Sequence, residues 1–191
     1  MRLDILEHGY GVGTRLLFRL IRLFSGHPVP DAARLTFYRP DFYGARAKAF
    51  SHEAMRGPSA WSVGDRELMA AYVSHVNGSA FCIGAHTATA RQSYGPRVEA
   101  VLADLESAPI EEPLRATLRM LAALTREATI GADDMRQVLA AGASRQQVED
   151  ALAVCAAFDT TNRLADVFGF ELLSPEGYEA GARYLLKRGY Q

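Results

Sequence analysis

Four side chains between residues 67 and 86 are of types that do chemistry: Glu67, Ser79, Cys82 and His86. On one helix Ser79, Cys82 and His86 recur at i, i+3 and i+7 and share a face. Asn77-Gly78 favours a tight turn just before them. Ser79 is therefore expected to cap the following helix, its hydroxyl accepting a backbone N–H two or three residues on. Cys82 then falls in the first turn, where the helix dipole and unpaired N–H groups favour an anion and lower a thiol pKa. His86, one turn later, is placed to exchange a proton with that sulfur or with a leaving group. Glu67, on the preceding helix, is placed to orient His86 or to relay a proton through water. Taken singly, each has a plainer role: a cap, an inert core thiol, a structural histidine, a complement to a helix dipole. Only the combination marks a site. A metal centre from His75, Cys82 and His86 is disfavoured, because His75 precedes the turn and the trio matches no zinc spacing.

The elements that must hold these residues are helical. Nearly every periodic segment repeats at about 3.6 residues, and no run alternates with period two. Helices are expected over 12–25, 30–37, 41–56, 63–76, 79–93, 95–106, 111–126, 131–141, 144–168 and 174–188, separated by breakers such as Gly57-Pro58, Asn77-Gly78 and Gly95-Pro96. Ser62 with Asp65, and Ser144 with Gln147, read as capping arrangements. In the longest helix Val148, Leu152, Cys155, Phe158, Asn162 and Ala165 form one stripe, so Asn162 needs buried hydrogen-bond partners and Cys155 reads as a small core residue. Trp61, Tyr72 and Phe81 suggest an apolar pocket near the site. Residues 12–25 are amphipathic, with Arg15, Arg19 and Arg22 along one stripe and Leu16, Leu17, Leu20, Ile21 and Phe24 on the other face. Such a helix can lie on an anionic membrane, but packing on its own body or on a sister subunit is the favoured reading. "GYGVGT" before it lacks the spacing and the preceding strand of a dinucleotide fingerprint.

Composition narrows the class. The 191 residues are long enough for one domain with one sizeable core, expected over 1–191, with an N-terminal helical extension to about residue 60, a core to about 173 and a C-terminal helix from about 174. With 21 Lys+Arg against 22 Asp+Glu, the balance offers no footprint for nucleic acid. The arginine rhythm in 15–22 excludes a signal h-region or a membrane span, so no stable membrane insertion is expected. Two cysteines, Cys82 and Cys155, form no disulfide framework, which suits a cytoplasmic location. No flavin, nicotinamide or haem signature is present, and no cofactor is expected.

The order Glu67, Ser74-His75-Val76-Asn77, Ser79-Ala80-Phe81-Cys82 and His86 resembles the alkylhydroperoxidase D (AhpD)-like branch of the carboxymuconolactone decarboxylase superfamily, in its peroxidase-related subgroup. That branch shows Glu, an S-x-x-N segment, C-x-x-C and a His four residues later. The resemblance runs over roughly 40–173 and includes the Asn162-Arg163 segment. It implies an all-α, AhpD-like helical domain that assembles as a homo-oligomer, a dimer, trimer or hexamer. It also implies a thiol peroxidase in which Cys82 reduces a small hydroperoxide, His86 and Glu67 relay protons and an external thiol is the reductant. Ser79 takes the place of the resolving cysteine. A hydroxyl cannot form a disulfide, so the dithiol cycle cannot close inside the motif. One-cysteine turnover, resolution by Cys155, or loss of peroxidase activity are the outcomes left. The alternatives are a decarboxylase-type enzyme using His86 and Glu67 without thiol chemistry, and a catalytically silent oligomeric relative.

Overall fold

The structure is a computed structural model that describes residues 4–190; residues 1–3 and 191, the outermost positions of the domain expected over 1–191, lie outside the described residues. Among these the regular secondary structure is helical throughout. In chain order the helices are α1 (Ile5–His8), α2 (Val12–Ser25), α3 (Asp31–Tyr38), α4 (Ala45–Arg56), α5 (Val63–Asn77), α6 (Ala80–Tyr94), α7 (Arg97–Ala103), α8 (Glu112–Glu127), α9 (Ala132–Ala140), α10 (Arg145–Phe168) and α11 (Pro175–Arg188). A single π-helical turn, Pro40–Gly44, leads into α4. The expected helices are all present. What periodicity missed is short: α1 has one turn, too few residues to show a repeat.

Local chemistry sets the helix ends. Ser62 and Asp65 form a reciprocal capping box at the start of α5, with Ser62 N–H donating to Asp65 Oδ2 at 2.8 Å and Asp65 N–H to Ser62 Oγ at 3.1 Å. Ser144 and Gln147 do the same for α10. Gly78 ends α5 with φ +71°, a left-handed conformation that a side chain would strain, and so permits the sharp reversal into α6.

Helix α5 is the axis of the core. Every residue from Arg66 to Ser74 is buried, because α4, α6, α8 and α10 all pack around it. A helix apolar on one stripe would face solvent with the rest; the near-continuous run LMAAYV suits burial on all sides instead. Trp61 locks the approach to α5, its indole N–H donating to Gln147 O at 2.8 Å. Arg66 is buried beside it and donates to the carbonyls of Gly57 and Ala54 at 2.9 and 3.3 Å. α11 lies tightly on α6: a Cβ on Gly84 would stand 2.5 Å from the Tyr178 ring, so only glycine allows this approach.

Apolar burial falls into two clusters. The larger unites α5, α7, α8, α9 and α10 and contains Cys155. The smaller joins Phe81 and Cys82 of α6 to Leu6, Leu35, Ala165 and Phe170. The N-terminal extension therefore covers the thiol-bearing face of α6. Helix α2 does something else. None of its residues is buried, and Leu16, Leu17, Leu20, Ile21 and Phe24 are exposed. Of the two partners expected for this face, its own body or a sister subunit, the first is ruled out: these side chains are exposed on the single chain. Phe18, on the other side of the helix, engages the body through edge-to-face contacts with Tyr10 and Phe37 at 5.1 and 5.4 Å.

Candidate functional site

Glu67 sits near the start of α5, fully buried, and gathers partners from three other elements. From α6, His86 Nδ1 lies 2.8 Å from Glu67 Oε2. From the C-terminal end of α4, Arg56 Nη2 donates to Glu67 Oε1 at 2.7 Å and to the Leu185 carbonyl of α11 at 3.1 Å. From the turn after α11, the Tyr190 hydroxyl donates to Glu67 Oε1 at 3.0 Å, with Oε2 at 3.3 Å. The Arg56 guanidinium also lies over the Tyr190 ring, 5.2 Å from its centroid. Burial raises the Glu67 pKa, but the hydrogen bond and charge of His86 and the charge of Arg56 outweigh it, holding the carboxyl below its usual range. Tyr190 moves the opposite way: burial, and then the Glu67 charge, push its hydroxyl well above the ordinary tyrosine value.

This arrangement fixes the imidazole. Nδ1 faces a carboxylate, so the neutral ring carries its proton there and offers Nε2 as an acceptor. The ring is clamped edge-to-face by Phe158 at 4.2 Å and stacks at 6.5 Å on Tyr190. An oriented, carboxylate-backed histidine in a dry environment is suited to take and return a proton at one defined position.

Cys82 and Ser79 lie on the same helix, and here two expectations are corrected. Ser79 occupies the N-cap position of α6, but its hydroxyl makes no cap bond. It donates instead to Asp166 Oδ1 of α10 at 3.1 Å. A fully buried hydroxyl beside a carboxylate gains more from the charged acceptor than from a helix terminus. Cys82 was expected to be acidic. Its pKa is pushed up to about 12, by burial first, with the Asp166 charge also raising it and the Ser79 hydrogen bond only partly opposing. Desolvation defeats the helix-dipole effect because Leu6, Leu35 and Phe170 keep water from the sulfur. Among the described residues no hydrogen bond joins Cys82 to His86.

The sequence brings Glu67 and His86 together as expected, and Cys82 with Ser79, but it missed Arg56, Tyr190 and Asp166. Asp166 and Tyr190 carry no local sequence signal, since both reach the site through tertiary packing. Arg56, at a helix end before Gly57-Pro58, reads as a dipole complement until α11 closes over it. Of the aromatic residues read as pocket lining, only Phe81 joins the Cys82 cluster; Trp61 and Tyr72 belong to the larger core. His75 is exposed and stacks on Tyr72, and no group of three His, Cys, Asp or Glu among the described residues is arranged to hold a metal ion. Asn162 receives the Ser74 hydroxyl at 3.0 Å, a buried link between α5 and α10.

The second thiol, Cys155, lies in the larger cluster and is also pushed up to about 12 by burial. It lines a cavity of about 260 Å³ with Thr125, Asp159 and Arg163. Both thiols are free and buried. At pH 7 a pKa of about 12 leaves a thiolate fraction of about 10⁻⁵, on the order of 10³-fold below that of an ordinary cysteine. Native protein treated with iodoacetamide at neutral pH should therefore show both cysteines unlabelled over minutes, and both labelled in urea. Peptide mass spectrometry reads the outcome; rapid native labelling of Cys82 would contradict its burial.

The all-α fold that holds this buried Glu–His pair, one helical turn from a cysteine, is AhpD-like. Residues 40–103 match the model of the carboxymuconolactone decarboxylase family, a segment that holds Glu67, Ser79, Cys82 and His86. The chain is similar to an uncharacterized peroxidase-related protein from Silicibacter sp. TM1040, with 25% identity, a TM-score of 0.77 and coverage of 93% of this chain and 94% of that one. An uncharacterized peroxidase-related protein from Ralstonia eutropha JMP134, described as an alkylhydroperoxidase AhpD core, shares 21% identity at a TM-score of 0.73, over 90% of each chain. The debrominase Bmp8 shares the fold at 14% identity and a TM-score of 0.66, over 90% and 92% of the two chains. No curated protein matches the chain. Over residues 40–103 the chain is thus similar to the carboxymuconolactone decarboxylase family, and its all-α fold is AhpD-like.

Proposed function

We propose that this protein is a peroxidase-related oxidoreductase that reduces a small organic hydroperoxide at Cys82, in one-cysteine fashion. The observation that carries the reading is the Glu67–His86 pair, 2.8 Å apart and buried one helical turn beyond Cys82. Similarity to two peroxidase-related proteins supports it. In the reaction the Cys82 thiol loses its proton to a base, the natural candidate being His86 Nε2. The thiolate sulfur attacks the terminal peroxide oxygen and the O–O bond breaks. The alkoxide leaving group takes the proton back from His86 and departs as an alcohol, leaving Cys82 as a sulfenic acid. Two equivalents of an external thiol then return Cys82 to the thiol, releasing water and a disulfide of the reductant. The raised thiol pKa makes the proton transfer costly, and Glu67 contributes by holding the His86 ring in one orientation through its 2.8 Å contact with Nδ1. The aromatic surroundings of the sulfur, with Phe81 edge-to-face on Phe170 at 5.3 Å, favour an apolar organic group over water or an inorganic ion.

Cys82 lies under α1, α3 and the segment after α10, so this reading requires those covers to part for substrate. The raised thiol pKa specifically favours a second reading: acid–base chemistry by Glu67 and His86 on a small acid or lactone, with the thiol as packing only. Treatment with cumene hydroperoxide, followed by mass mapping, separates the two. A sulfenic adduct at Cys82, and a disulfide between Cys82 and the introduced thiol in Ser79→Cys, are the expected results. A correctly folded Ser79→Cys that stays reduced, with no adduct on the unsubstituted protein, sinks the peroxidase reading.

A further inference from the structure

The exposed face of α2 has no counterpart in the chemistry at Cys82. At about 3.6 residues per turn, Val12, Leu16, Leu20, Leu23 and Phe24 fall on one arc of the helix, extended by Ile21. All six are exposed, Leu23 by 76% and Phe24 by 84%. Together they form a contiguous apolar face, and such faces mark interaction sites. Phe18, on the far side, fixes the helix to the body, with the Arg34 guanidinium over its ring at 5.7 Å. The apolar arc therefore points away from the protein, rather than lying loose over a core it has failed to find.

Charge decides which partner fits. Arg15, Arg19 and Arg22 line one flank of this arc, and residues 12–25 contain no Asp or Glu. All three arginines are exposed, and none is ion-paired among the described residues. Two copies pairing through α2 would bring two arginine rows together with no carboxylate on either helix to offset them. A layer of anionic lipid supplies both requirements at once: an apolar boundary for the leucines and Phe24, and phosphates at the depth of the flanking arginines. We propose that α2 is a membrane-surface anchor that lies flat in the interface of an anionic bilayer, holding the protein against it without crossing. No helix among the described residues is long and apolar enough to cross a membrane, and lying in the interface requires none. This inference is independent of the chemistry assigned to Cys82.

The test is co-sedimentation of the full chain with vesicles of equal parts phosphatidylglycerol and phosphatidylcholine, and with vesicles of phosphatidylcholine alone. The expected result is binding to the anionic vesicles that weakens as salt is raised and is at least tenfold weaker on the neutral ones. Each Arg→Gln change at 15, 19 or 22 should lower the partition coefficient about fivefold. Leu20→Glu with Phe24→Glu should abolish binding while leaving the thermal unfolding curve unchanged, since neither side chain is in a core. Should that pair fail to fold, the Arg15→Gln, Arg19→Gln, Arg22→Gln triple variant carries the same test through charge alone. Absence of vesicle binding overturns the proposal. If sedimentation velocity then shows an oligomer that Leu20→Glu dissociates, a second copy of this chain is the occupant. Equal binding to neutral and anionic vesicles overturns it as well, because the arginines would then play no part.

Discussion

Glu67→Ala should cost about 3–5 kcal/mol of folding stability, the largest effect expected of any single polar substitution here. The change strips a fully buried carboxylate from between Arg56, His86 and Tyr190. Arg56 would be left largely out of water without its anion, and the Tyr190 hydroxyl without its acceptor. Water cannot readily enter to replace them, because Phe158 and the Tyr190 ring close the space around His86. Urea unfolding monitored by Trp61 fluorescence measures the cost. A loss below about 1 kcal/mol would mean that the partners find replacements and that the cluster does not fix the packing of α4, α5 and α11. The same carboxylate makes stability depend on pH. Its folded pKa lies below the ordinary 4.5, so the unfolded state binds the proton more readily. The stabilisation is complete above the unfolded value and is lost as pH falls through the depressed folded one. Glu67→Gln, which cannot titrate, should flatten this part of the acid limb. An acid limb identical in Glu67→Gln and the unsubstituted protein would place the pH dependence elsewhere.

His86→Ala should reduce turnover by about 10²–10⁴-fold, the range expected when a positioned acid–base group is removed. His86→Gln is the control that keeps volume and hydrogen bonding to Glu67. If Gln restores stability but not rate, His86 moves protons; if it restores both, the ring only packs. Both readings of the site require His86, so this variant tests the shared part of them. Cys82→Ala divides them: the peroxidase reading predicts complete loss, and the acid–base reading predicts nearly full retention. A protein in which His86→Ala and Cys82→Ala both leave turnover intact would exclude both chemistries at this site. The environment also explains why apparent reactivity and motif disagree here. The motif places a sulfur at the start of a helix, which in isolation promotes the thiolate. The fold places apolar side chains around it and a carboxylate beyond Ser79, which reverse the effect.

The helices were legible because each depends on its own residues. Ser62 and Asp65 are three apart, Asn77-Gly78 are adjacent, and the stripe of Val148, Cys155, Phe158 and Asn162 recurs within one element. The pairing of Glu67 with His86 was legible for a related reason: a short turn at Gly78 forces α5 and α6 to lie antiparallel. That brings Glu67, eleven residues before Gly78, and His86, eight after it, within reach of each other's side chains. The sequence by itself thus determined the helical architecture, the turn that apposes Glu67 and His86, and the amphipathic character of α2. Only the tertiary structure decided that Arg56 and Tyr190 complete the Glu67 cluster, since they come from positions 11 residues before and 123 residues after it. It alone decided that Ser79 bonds Asp166 and that Leu6 and Leu35 cover Cys82. It alone decided that the apolar face of α2 turns outward. The division has one physical cause. Helix formation, capping and turn geometry act within a few residues, whereas desolvation and charge pairing depend on whichever distant segments the packed core brings to the same place.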